Sequence, residues 1–163
     1  MTTGTGTTHG AAELDEDVPG WMRVTTLVLA VAGLLAAAYL TFEHFTSSTS
    51  LACPDTGKIN CAKVTSSSYS TFLGIPVALL GLVFFLVLIP LVVPAAWRAE
   101  GPRVHLARLG WVSLGMLSVL YLVWAELFQV RAICLWCTGV HVVTTLVFGL
   151  VVFAEAYRPS SRR

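Results

Sequence analysis

Charge is what this sequence has least of. Only 12% of its 163 residues are Asp, Glu, Lys or Arg, where a soluble domain carries roughly 25%. That shortage excludes an ordinary water-soluble globule and points to a membrane protein. A 56% hydrophobic content and a mean hydropathy of +0.78 agree. Basic clusters are missing as well, and with a net charge of +1 the chain offers nucleic acid no patch to bind. The opening MTTGTGTTHGAAELDEDVPG has neither apolar periodicity nor a cationic lead. It reads as a disordered tail, and its acidity argues against a cleaved signal peptide over Val24–Phe42.

What is present is long apolar runs. A helix needs about 20 mostly apolar residues to cross a bilayer, and four stretches qualify: Val24–Phe42, Phe72–Trp97, Leu109–Val130 and Ile133–Tyr157. They are too uniformly apolar for the amphipathic helices of a soluble bundle. The expected fold is an all-α membrane protein: a four-transmembrane-helix bundle over residues 21–158, with tails at 1–20 and 159–163. One extracytoplasmic loop, between the first two spans, carries cysteines. The side holding both termini and the loop WRAEGPRVHLAR has seven arginines, from Arg23 to Arg163; the other has Lys58, Lys63 and Arg131. The positive-inside rule then predicts a multi-pass protein of the plasma membrane with both termini cytoplasmic. All four cysteines fall at or near the outer face, where disulfides persist.

Those cysteines form two pairs. Cys53 and Cys61 bracket Pro54-Asp55-Thr56-Gly57, a turn-forming cluster able to bring them within the roughly 7 Å a bridge requires. Cys134 and Cys137 form a Cys-x-x-Cys pair at the head of the fourth span. A bridge across so short a loop stabilises little. The spacing suits a dithiol that toggles, its thiolate favoured by the positive end of the helix. Capture of Zn²⁺ or a soft ion by four thiolates, as in a cysteine-based metal transporter, is the rival reading. Against it, the Cys-x7-Cys spacing is long for a zinc knuckle and the second pair is largely lipid-embedded; no metal site is expected. Thiol–disulfide exchange makes each pair necessary, because it hands two electrons from one pair to the next. The loop meets a soluble protein, and the helix pair meets a two-electron acceptor that lives in lipid: a quinone.

Cys53-x7-Cys61, then VTSSSYSTFLGIP, then YLVWAELFQVRAICLWC together resemble the vitamin K epoxide reductase family, in its bacterial disulfide-forming branch. The resemblance covers about residues 20–157. In DsbB-type proteins, which do similar chemistry, the membrane-embedded pair comes first. The resemblance implies a helical bundle around a quinone near the outer leaflet. It implies that Cys137 faces the quinone and Cys134 is its exchanging partner. Cys61 would bridge transiently to Cys134, and Cys53 would be attacked first by the protein substrate. The implied partners are an extracytoplasmic thioredoxin-like protein of the DsbA type, acting in trans, and the membrane quinone pool.

Around the cysteines, Ser66 and Ser67 match a serine pair of the family; they bind quinone or thiolate, or else cap the second span. Tyr121 and Trp124 match family aromatics that wall the site, or else anchor at the interface. His141, one turn below Cys137, stands where vertebrate members have tyrosine; it is a candidate for quinone binding and proton supply. Glu126 is costly inside a bilayer and is the second candidate proton donor, with pairing to Arg131 as the alternative. Arg outnumbers Lys eight to two, which with abundant Ala, Val and Leu suggests a G+C-rich genome and favours menaquinone over ubiquinone. The rival activity within the family is quinone-epoxide reduction.

Overall fold

The computed structural model describes residues 18–46, 53, 56–98 and 102–156. Most of the tail expected at 1–20, all of the tail expected at 159–163, and Pro54 and Asp55 lie outside the described residues. Helix α1 spans Gly20–Thr46 and the short α2 Cys61–Thr65. A 3₁₀ turn at Ser68–Ser70 leads into a hairpin of β1 (Thr71–Phe72) and β2 (Ile75–Pro76). Helices α3 (Val77–Val92), α4 (Pro94–Trp97), α5 (Pro102–Trp124) and α6 (Leu135–Ala156) complete the chain, α5 running on as a π-helical segment over Ala125–Val130.

Helix α1 buries Met22, Thr26, Ala30, Gly33 and Ala37, three or four residues apart and therefore on one face. Four of the five are small, and small residues let helices approach closely. The ring of Phe85 on α3 occupies the space a side chain at Gly33 would need. Helix α1 packs most extensively against α3 and α6, and α5 packs against α6. Their buried faces meet through Phe85, Leu88, Val112, Val147 and Val151. The outward faces expose Val28, Leu35, Leu117, Leu120 and Phe153, an apolar coat of the kind that lipid covers. The all-α membrane fold stands.

The bounds of the expected spans shift. Helix α1 begins at Gly20, and Val18 is already buried, so the last residues of the expected tail belong to the fold. The second span starts at Val77, not Phe72. Leu73 (φ 53°) and Gly74 (φ 81°) form the left-handed turn of the hairpin that pairs Thr71 with Pro76, and a helix cannot run through it. The far end breaks at Val93, which is extended (φ −60°, ψ 147°) ahead of Pro94, as the residue before a proline prefers. Helix α3 keeps 16 residues, about 24 Å at 1.5 Å per residue, less than the ~30 Å hydrocarbon core. Among the described residues three helices, Gly20–Thr46, Arg103–Val130 and Leu135–Ala156, are long and apolar enough to cross a membrane, and α3 is a shorter apolar helix beside them.

Arg108 takes a place that its role as a mere loop charge does not foreshadow. Its side chain is fully buried, donating from Nε to the Leu91 carbonyl (2.8 Å), from Nη2 to Ala96 (3.0 Å) and from Nη1 to Glu155 (2.7 Å). The guanidinium lies 3.8 Å from the Trp97 ring centroid, and His105 joins Glu155 at 3.1 Å. One arginine thus ties α3, α4, α5 and α6 together at the end remote from the cysteines.

Candidate redox site

The cysteine loop is held by backbone pairing. Gly57 turns the chain at φ 77°, and Ile59 then forms a parallel bridge with Ile133. Asn60 N–H donates to the Ile133 carbonyl (3.0 Å), and Ile133 N–H donates to Lys58 (2.8 Å). The Asn60 side chain accepts from Lys63 N–H (2.8 Å) and caps α2, so Cys61 opens that helix. Cys61 is bonded to Cys53, with their Cα atoms 6.2 Å apart.

The connection from α5 to α6 shapes the other half. The π-helical segment ends at Arg131, in the left-handed region (φ 53°), and the N–H groups of Arg131 and Ala132 both donate to the Glu126 carbonyl. Three residues later, Cys134 Sγ accepts the Cys137 N–H at 3.4 Å. The Cys134 carbonyl accepts the N–H and hydroxyl of Thr138 at 2.8 and 2.9 Å. The sulfur takes the position of an N-capping side chain, at the positive end of α6. Cys134 precedes the crossing helix, and a hydrogen bond from the Cys137 thiol holds its pKa below the usual thiol range, against the opposing effect of burial.

The two halves meet. Cys61 (2% exposed) and Cys134 (0%) share one buried cluster with Val64 and Ala132, and Cys53, Cys137 and Trp136 pack against it. Cys134 and Cys137 are free thiols. Below them, α6 turns His141, Thr144, Val147 and Val151 inward, and Cys137 stands one turn above His141. On α5, Val112, Val119 and Glu126 are buried seven residues apart, which is two turns on one face. Between α5 and α6 lies a groove of about 420 Å³, lined among others by Val119, Val123, Glu126, Thr138, His141 and Val142.

The remaining candidates sit elsewhere. Ser67 Oγ donates to the Val64 carbonyl (2.7 Å), and Ser66 is the exposed C-cap of α2; neither lines the groove. Tyr121 and Trp124 stack on each other, centroids 6.1 Å apart, on the exposed face of α5. The pairing of Glu126 with Arg131 takes backbone form only: the carboxylate is buried, while Arg131 is exposed. Sequence reasoning missed Tyr39, whose ring packs on Trp136 at 4.7 Å and closes the cluster from α1. It also missed the Ile59–Ile133 bridge. Trp136 between the two cysteines was a usable signal; the bridge had none, because backbone pairing of single residues leaves no side-chain pattern.

A model of the vitamin K epoxide reductase family matches residues 24–152. The chain belongs to that family. Membership of the vitamin K epoxide reductase family makes it a membrane oxidoreductase, and the matched segment contains all four cysteines, Glu126 and His141. Members use quinones, and the α5–α6 groove is of a size to admit a small molecule. Its volume of about 420 Å³ falls within the roughly 300–1,000 Å³ of small-molecule sites. Its walls are mostly apolar, with Glu126, Thr138, His141 and Thr145 as the few polar groups.

Proposed function

We propose that the protein is a quinone-dependent thiol oxidoreductase of the bacterial, disulfide-forming branch, which reoxidises an extracytoplasmic thioredoxin-like protein of the DsbA type. The observation that carries this reading is the burial of Cys61 and Cys134 in one cluster, with the loop pair oxidised and the helix pair reduced. A partner thiolate attacks Cys53, breaks the Cys53–Cys61 bond and frees the Cys61 thiolate. The partner's second thiol resolves the mixed disulfide, leaving the partner oxidised and the loop pair reduced. Cys61 then attacks Cys134 of a Cys134–Cys137 disulfide, releasing Cys137. Cys53 attacks Cys61, restoring the loop bond and leaving Cys134 and Cys137 as a dithiol. Quinone bound in the groove supplies the acceptor for the two electrons and two protons this dithiol gives up. Oxidised loop and reduced helix pair are the arrangement between those two half-reactions.

The excess of arginine on the terminal side supports cytoplasmic termini and an outward-facing site, and menaquinone is the favoured acceptor. Cys137→Ala is expected to abolish quinone reduction by the purified protein. In a Cys61→Ala background, Cys53 should still trap a thioredoxin-like partner as a mixed disulfide identifiable by mass spectrometry. Undiminished quinone reduction in Cys137→Ala overturns the mechanism. Zn or Cu bound through all four thiols favours the metal transporter instead.

A further inference from the structure

Glu126 is a carboxylic acid buried in an apolar helix. Its carboxylate is 7% exposed, on a helix long and apolar enough to cross the membrane, and among the described residues no Lys or Arg pairs with it. An ionisable group in that setting is expensive and persists where it has work to do. It also sits in a π-helical segment, a geometry that recurs at functional sites. Its backbone carbonyl anchors the turn leading to Cys134. Its side chain lines the same groove as His141, and its charge acts on both Cys134 and Cys137.

Resting on the redox reading above, we infer that Glu126 is the proton acceptor for Cys134 when the Cys134–Cys137 dithiol is oxidised, and that it faces the groove in order to pass that proton to the quinone. The step balances. As the sulfur–sulfur bond forms, two electrons and two protons leave the dithiol and convert quinone to quinol. The Cys134 proton goes to the Glu126 carboxylate and then to one quinone oxygen, regenerating the carboxylate. The Cys137 proton goes to the other oxygen, past His141 one turn below. The site carries one negative charge throughout, first on Glu126, then on the Cys134 sulfur, then on the reduced quinone until Glu126 gives up its proton and is a carboxylate again, so no second charge is placed in an apolar pocket. The titratable groups facing Glu126 are Cys134 from the linker and Cys137 and His141 from α6. Cys61 from α2 is locked in a disulfide, and Lys63 and Arg131 are exposed.

The test uses the full-length protein in detergent, with two readouts on Glu126→Gln. Quinone reduction should slow by about 10²-fold, the lower range for loss of a general base. Alkylation of Cys134 by iodoacetamide, followed by peptide mass spectrometry across pH, should shift its midpoint to lower pH, because the thiolate no longer faces a carboxylate. A more easily formed thiolate combined with slower turnover is a pairing that simple loss of structure does not produce. Glu126→Asp, which keeps the acid, should recover much of the rate. Dicyclohexylcarbodiimide, an apolar carboxyl reagent, supplies a measurement on the unmutated chain. It should label Glu126 and slow quinone reduction in step with labelling, while partner trapping on Cys53 continues. Wild-type rate and midpoint in Glu126→Gln, or full activity after carbodiimide labelling, overturn the inference. Failure of the unmutated protein to reduce quinone overturns the redox reading instead.

Discussion

At Gly33 the chain has no room for a methyl group: the Phe85 ring fills the space. Gly33→Ala is therefore expected to destabilise the bundle by about 1–3 kcal/mol, as overpacking of a tight core does, and to lower the unfolding temperature in detergent. At Cys134 the decisive neighbour is chemical. The hydrogen bond from the Cys137 thiol stabilises the Cys134 thiolate, so thiolate forms at lower pH while that thiol is present. Cys137→Ala removes the donor, and the midpoint of Cys134 alkylation should move to higher pH. The cysteines, Glu126 and His141 were all legible as candidates, because each is chemically out of place in an apolar run. Tyr39 was not legible, since an aromatic near a membrane surface is ordinary until its neighbour is known.

Among the elements, the hairpin and α2 depart most from a reading by hydropathy. FLGIP is apolar enough to extend the second span, but Leu73 and Gly74 turn the chain, and the helix waits until Val77. The loop before it is docked by three residues, Lys58 to Asn60, against Ile133, and capped by the Asn60 side chain. Asn60→Ala should cost about 1 kcal/mol through loss of the cap and loosen Cys61. The expected outcome is a lower yield of the Cys61–Cys134 mixed disulfide, accumulated in a Cys53→Ala, Cys137→Ala background and read on non-reducing gels. An unchanged yield would mean that the Ile133 bridge alone positions Cys61.

The whole molecule divides its two tasks between its ends. One end gathers four cysteines; the other is locked by Arg108, Glu155, His105 and Trp97. Removing one partner of a buried ion pair strands the other, at about 3–5 kcal/mol. Arg108→Met is expected to lower the thermal midpoint strongly, and adding Glu155→Gln should recover part of the loss. Because the lock is remote from the sulfurs, partner trapping on Cys53 by the folded fraction should be unaffected.

Hydropathy and spacing by themselves determined that this is a helical membrane protein with its cysteines in two pairs. Burial in lipid demands apolar runs, and exchange chemistry demands neighbouring thiols, and both demands are written residue by residue. Only the tertiary structure decided that α3 starts at Val77 and stops before Pro94, that Arg108 is a core residue, and that Cys61 shares a buried cluster with Cys134. Those outcomes depend on backbone turns and on contacts between residues far apart in the chain, where one local pattern is compatible with several arrangements and packing selects among them.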